Sequence, residues 1–242
     1  MLTVSETYTS ILNSGGYWVE TKLEMEDSTG TMHTLNEADL FSISTKDGSL
    51  ETGFALGNAV SAEINVTMID PEEAWTPKVM GKLQPYVRIC NNTQQSEWLP
   101  KGVFYIDTRE RDRNIGDLNL ITFHGYDAML MTEQDYPAVN WNTKSDYGVV
   151  QEICTYLGWT LESETDTFFQ TTRAGYTLST PFNYSIREVL QSIAAVNCGN
   201  FVMDEVGNLR LVRFAALPTE TYYLITPMAD FITIGGDRIV LQ

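Results

Sequence analysis

From Tyr17 to about Asp127 the apolar residues of this chain recur at every second position, broken at short intervals by turn-forming residues. That period leaves little choice of fold. Side chains alternate across a strand, so a run of period two buries one sheet face and wets the other. Tyr17, Val19, Thr21, Leu23 and Met25 fall on one predicted face, and Trp18, Glu20, Lys22, Glu24 and Glu26 on the other, before an Asp27-Ser-Thr-Gly30 turn. Val60, Ala62, Ile64, Val66 and Met68 alternate in the same way with Ser61, Glu63, Asn65 and Thr67, and that run stops before Pro71. Pro71 to Pro77 reads as a connecting loop. Further strands are predicted at Tyr86 to Cys90 and Val103 to Arg109, around a polar loop containing Asn91 to Ser96. Leu118 to His124 closes a long hairpin through Arg111 to Asp117. Five or more strands with short links predict a barrel or sandwich, not a βαβ sheet.

After Tyr126 the period changes. Val149, Val150, Ile153, Cys154 and Leu157 lie at helical spacing between Ser145 and Trp159, with Gly158 as terminator. Ser185-Ile-Arg-Glu188 is a capping box, Tyr184 and Val189 can staple the start of the same helix, and Gly199 stands past its end. Ile186, Val189, Leu190, Ile193 and Ala194 form its apolar stripe. Phe201 to Asp204, a turn at Glu205 to Asn208, and Leu209 to Phe214 predict a tight hairpin. The predicted organisation is mostly β with α+β: residues 1–135 form an antiparallel β-barrel domain, and residues 136–214 an α+β domain with two helices and a hairpin. Residues 215–242 supply strands that return to the first barrel or lead into a missing second one. Two strand-like runs there flank Gly235-Gly236, and the chain stops in mid-run at Ile239 to Gln242, as expected of a fragment of a longer protein. Without a repeat or low-complexity linker, the first two parts are expected to pack directly on each other.

Charge narrows the partners. Fifteen Lys plus Arg against 32 Asp plus Glu give a net charge of −17. Phosphate backbones repel such a surface, so specific DNA or RNA binding is not expected, although nucleic acid can pass an acidic wall without sticking. The N-terminus lacks a cationic region and an apolar h-region, and no apolar run approaches a membrane span, so synthesis in the cytosol and no membrane insertion are expected. Cys90, Cys154 and Cys198 are widely spaced and read as reduced core or semi-core thiols.

No catalytic constellation emerges. The chain offers only His33 and His124, and neither HxxxH, HxH nor GxSxG accompanies them. His124, within Thr122-Phe-His-Gly-Tyr126, reads as a satisfied structural histidine, and a metal role has no ligand-spaced partners at either position. Glu24, Glu26 and Asp27, and Glu162, Glu164 and Asp166, are acidic clusters at strand ends or loops, where solvated side chains outrank an acid/base pair. Glu162 to Asp166 lacks the spacing and glycine of a calcium loop. Gly53 to Gly57 and Gly235-Gly236-Asp237 lack the lysine of a P-loop and the GxGxxG pattern, and read as turn glycines. Arg109-Glu-Arg-Asp-Arg113 alternates sign, as in a solvated hairpin whose tip can still meet a protein. The five Trp do not cluster, which makes carbohydrate binding a minority reading. No catalytic, cofactor-binding or metal-binding residue is therefore assigned, and no cofactor is expected.

Taken in order, several segments resemble a known family. They are Gly57-Asn-Ala-Val-Ser-Ala-Glu-Ile-Asn-Val-Thr-Met68, Pro85-Tyr-Val-Arg-Ile89, Trp98-Leu-Pro-Lys-Gly-Val-Phe-Tyr-Ile-Asp107 and Phe123-His-Gly-Tyr-Asp-Ala-Met129. Ser185-Ile-Arg-Glu-Val-Leu-Gln-Ser-Ile-Ala-Ala195, Cys198-Gly-Asn-Phe-Val-Met-Asp204 and Gly207-Asn-Leu-Arg-Leu-Val212 follow. Their succession is similar to the N-terminal part of phage and prophage tail baseplate hub proteins of the tail-associated or tail-tip family. The resemblance implies a tail-tube-like antiparallel β-barrel joined to a small α+β domain, a homotrimer in the assembled tail, and a non-enzymatic role at the distal end of the tail tube. It also implies distal-tail, tail-tube and tape-measure proteins as partners, and a virion made in the bacterial cytoplasm. A carbohydrate- or receptor-binding module is the alternative, and a cell-wall hydrolase a more distant one.

Overall fold

The structure, a computed structural model, describes residues 4–46, 56–71, 75–115, 118–137, 143–172, 175–179 and 183–213, with pairs of residues between 222 and 241. The chain divides into two compact units, Met1–Val212 and Arg213–Gln242. In the second, Tyr222–Tyr223 pairs antiparallel with Val240–Leu241, and Thr233–Ile234 with Asp237–Arg238. Gly53 to Ala55, Gly116-Asp117, Trp141 and Gly235-Gly236 lie outside the described residues.

The alternating runs become one large antiparallel sheet. Its strands are β1 (Trp18–Glu26), β2 (Met32–Asn36), β3 (Leu40–Lys46), β4 (Glu63–Ile69), β5 (Lys82–Cys90), β6 (Leu99–Pro100), β7 (Phe104–Ile115) and β8 (Leu118–Asp127). They order as β2-β1-β5-β7-β8-β4-β3, with β6 beside β5. The Asp27-to-Gly30 turn joins β1 to β2, and β7 and β8 form the long hairpin, with register shifts between Ile106 and Thr108 and between Asp112 and Ile115. β2 and β3 end the strand order, and closure into a barrel is not seen among the described residues.

One face of the sheet is dry. Leu23, Met25, Ile64, Val66, Leu83, Ile121 and Phe123 are fully buried and form one core. The predicted dry face of β1 holds only for its second half, because Tyr17 and Val19 on the same face are exposed. Alternation decides which residues share a face; another element must still cover it. Ahead of β1 stands a helix that sequence periodicity does not predict, α1 (Glu6–Ser14). Ser5 caps it by accepting from the Tyr8 N–H, and Ile11 is its buried anchor.

Past β8 a 3-10 turn, Ala128–Glu133, leads into the helical part: α2 (Asp146–Leu157), the short α3 (Ser163–Thr167), α4 (Ile186–Val196) and a hairpin of β11 (Gly199–Met203) with β12 (Leu209–Arg213). Two-residue strands β9 (Lys144–Ser145) and β10 (Thr177–Leu178) pair beside α2. Ser145 caps α2 and Gly158 ends it in the left-handed conformation. The α4 capping box is formed in both directions. Its end differs from expectation: Asn197 is the C-cap and Cys198 turns at φ +50°, while Gly199 already opens β11. Val149, Val150, Ile153, Ile186, Leu190, Ile193 and Phe201 are fully buried in a second core. The buried stripes of α2 and α4, each set on one face by the 3.6-residue helical period, both contribute to this core.

Candidate assembly surface

The outward face of β1 and β5 is built from residues that alternate with the core. Antiparallel register sets Glu20 opposite Arg88 and Lys22 opposite Tyr86. Arg88 donates to Glu20 Oε2 through Nε at 2.8 Å and Nη2 at 2.6 Å, which draws the Glu20 carboxyl below its ordinary pKa. Lys22 Nζ donates to Glu24 at 2.7 Å and stands 4.3 Å from the Tyr86 ring centre. The Arg88 guanidinium lies 4.4 Å from the Trp98 ring centre, and Lys22 Nζ 5.4 Å from it. Cations cover the Trp98 ring where a sugar platform needs an open aromatic plane. The result is a charge-paired, partly covered surface.

At the β1–β2 turn, Asp27 is buried and its carboxylate accepts from the Thr29 N–H (2.8 Å), the Thr29 hydroxyl (2.6 Å) and the Thr31 N–H (2.9 Å). His33 Nε2 lies 2.7 Å from its other oxygen. The Thr29 hydroxyl first, then His33, hold this carboxyl well below the usual carboxylate range. His33 in turn stacks on Trp75, with ring centres 4.4 Å apart and planes 7° from parallel. The Ser28 N–H donates to the Thr76 carbonyl at 2.8 Å, so one network ties the turn to the following loop.

The other residues singled out by sequence are dispersed. His124 stands edge-on to Tyr126 at 4.7 Å between centres, and its Nε2 is 3.7 Å from Glu63. Glu26 holds Lys78 at 2.6 Å and Glu24 holds Lys22. Glu162 caps α3, and Asp166 accepts from Tyr147 (2.7 Å) and Gln170 (2.7 Å). These carboxylates serve turns, caps and ion pairs. Among the described residues no group of three or more His, Cys, Asp or Glu is placed to hold a metal ion. No described helix is long and apolar enough to cross a membrane.

Sequence reasoning missed Arg187. From the first turn of α4, its Nη2 donates to Ser61 Oγ (3.0 Å) and to the Met129 carbonyl (3.1 Å), and its Nε to Thr132 Oγ1 (3.2 Å), with Glu133 at 3.0 Å. One guanidinium therefore fastens the helical part to the segment entering β4 and to the turn leaving β8. Backbone pairing adds to this: the Phe201 N–H donates to Asn58 and the Gly57 N–H to Gly199, both at 2.9 Å. Between the two parts lies a cleft of about 570 Å³, with Val60, Val103, Phe104 and Met203 among its walls and Lys101 and Arg210 among its charged groups.

This succession, a large antiparallel sheet fastened to a helix pair and hairpin, recurs in a solved structure, the 43 kDa tail protein of prophage MuSo2 from Shewanella oneidensis. The TM-score is 0.50 at 14% identity, over 83% of this chain and 57% of that one. The chain shares its fold with that tail protein. A tail protein from Neisseria meningitidis MC58 is similar over 81% of this chain and 51% of its own, at TM-score 0.49 and 10% identity. The Francisella PdpA-VgrG complex also matches, over 83% of this chain and 32% of that one, at TM-score 0.47 and 10% identity. The chain thus spans little more than half the length of the two tail proteins. No protein-family model matches the sequence, and no curated protein matches it.

Proposed function

We propose that this chain is a structural component of a phage or prophage tail, a baseplate hub or tail-tip protein that closes the distal end of the tail tube. The observation that carries the reading is the fold shared with the prophage MuSo2 tail protein over 83% of the chain. In this reading the sheet of residues 1–135 closes into a tail-tube-like barrel, residues 136–214 form an α+β domain joined to it, and residues 215–242 return to the first barrel or lead into a second one. Three copies make a ring. Its strand-order ends, β2 and β3, offer backbone hydrogen-bonding groups to neighbours, as sheet edges do. Its partners are the distal-tail, tail-tube and tape-measure proteins. A net charge of −17 suits a bore along which DNA slides without specific binding. The chain acts without catalysis, in the virion tail, after synthesis in the bacterial cytoplasm.

Gold-labelled antibody against this chain, applied to tails purified from the host bacterium, tests the assignment by electron microscopy. Label at the distal end of the tube is expected. Label along the tube or on side fibres, or tails that carry none, would overturn it.

A further inference from the structure

Of the nine residues of α1, Ile11 alone is buried; Thr7 and Tyr8 are partly covered, and Leu12 is 44% exposed. Isolated helices shorter than about 12–15 residues are marginal in water, so α1 exists only while something holds it down. Two fastenings stand out among the described residues. One is apolar: α1 lies against β5, with Ile11 as its buried side chain. The other is polar: Ser5 donates to Glu97, through its N–H to Oε1 at 2.6 Å and through its hydroxyl to Oε2. The Ser5 hydroxyl, then its N–H, draw the Glu97 carboxyl below its ordinary pKa, so the clamp acts on the ionised form. Glu97 is a fixed post. Beside it the Ser96 N–H donates to the Ile89 carbonyl (2.9 Å) and the Ile89 N–H to Ser96 Oγ (3.0 Å), which ties this loop to the end of β5.

The link that follows α1 is a hinge. Gly15 and Gly16 stand at φ +67° and +65°, and a Cβ on either would meet nothing within 4 Å. Crowding does not demand glycine there; the direction of the backbone does. Gly15, at ψ 171°, occupies a region where only glycine rests without strain. From Trp18 onward β1 is paired with β5, so freedom ends two residues after the hinge.

We propose that α1 is a strap: residues 5–14 let go of the sheet as one unit about Gly15-Gly16, melting as they leave, while β1 and β5 stay paired. Segments with few buried apolar contacts open at a lower free energy than the domain they belong to, and here one apolar anchor and one carboxylate clamp set that energy. The strap depends on contacts within the chain, so it stands or falls whatever the chain's place in a tail.

Hydrogen exchange of the full chain, read by mass spectrometry over a urea series below the unfolding transition, tests it. Amides of residues 9–14 are expected to exchange together, more slowly than in a free peptide yet about tenfold or more faster than those around Leu23 and Met25. Their rate should hardly respond to urea, because opening the strap exposes little surface. Glu97→Ala should lower protection in α1 about tenfold further by removing bonds to a charged group. Gly15→Ala should also lower it, by straining the closed form. The steep urea dependence of the Leu23 and Met25 peptides should persist in both variants, which shows that they fold. The strap is overturned if α1 exchanges only with the sheet, at the sheet's protection and urea slope, or if Glu97→Ala leaves its protection unchanged. Exchange of α1 at the free-peptide rate overturns it as well, since the helix would then never dock.

Discussion

The Asp27 carboxylate stands 2.7 Å from His33 Nε2, and the His33 ring lies flat on Trp75, so a single buried acid organises the turn and the loop beside it. Its pKa is held below the ordinary value, chiefly by the Thr29 hydroxyl. A carboxyl with a depressed folded pKa contributes stability that is fully present above its unfolded pKa, about 4, and is lost as pH falls through the folded value. Asp27→Asn should therefore lower Tm at pH 7, and the gap to wild type should narrow steadily below about pH 4. A gap that is constant from pH 7 to pH 3 would dismiss the carboxylate's role.

Arg187 holds three elements with one side chain, and its removal leaves the Met129 carbonyl and the Ser61 and Thr132 hydroxyls without that donor. Hydrogen bonds to a charged group contribute about 1.5–3 kcal/mol. Arg187→Ala is expected to destabilise by about 2–3 kcal/mol in urea titrations, and Arg187→Lys by less, since one ammonium cannot reproduce the guanidinium fork.

The sheet's core is legible from Leu23, Met25, Ile64, Val66 and Met68, because period two is a local property. The α4 capping box is legible for the same reason, since Ser185 and Glu188 lie within one helical turn. The exposure of Tyr17 and Val19 is not, because their face continues the alternation while the core ends. Helix α1 is hidden from periodicity because its fastening is remote: Ser5 donates to Glu97, ninety-two positions away, through its hydroxyl and through its N–H at 2.6 Å. Arg187 looks in sequence like a helix-surface charge, and its partners at Ser61 and Met129 become neighbours only once both parts are folded. The acidic residues near Asp27 offer no pattern that selects one of them, yet Asp27 is buried in bonds where a solvated side chain is the expectation.

Phe123 and Phe201 are each fully buried, in separate cores. Truncating a buried phenylalanine to alanine costs about 3–5 kcal/mol through lost burial and the cavity left behind. Because the clusters share no member, the double variant should lose the sum of the two single losses to within about 0.5 kcal/mol. Stability from urea unfolding measures this, provided the fluorescence and circular-dichroism transitions coincide.

Gly125 faces Ile106 in the β7–β8 ladder, where a Cβ would come 2.5 Å from the Tyr105 carbonyl oxygen. Backbone cannot swing aside as a side-chain tip can, so Gly125→Ala should cost about 1–3 kcal/mol despite alanine's better intrinsic stiffness. A stabilised Gly125→Ala chain in thermal melts would show that the two strands separate more freely than this close approach implies.

The three thiols should react in two classes. Cys198 is exposed, while Cys90 and Cys154 are buried. Burial pushes the Cys154 thiol up to about 12 and also raises Cys90, so at pH 8 neither offers appreciable thiolate to an electrophile. Titration of the native chain with a thiol-specific chromophore is expected to modify one cysteine rapidly, identified by peptide mass spectrometry as Cys198. The other two should react only at the rate of unfolding, and all three at once in denaturant. Fast native-state modification of Cys154 would mean that the α2 face opens far more often than a core containing Ile153 and Phe201 permits.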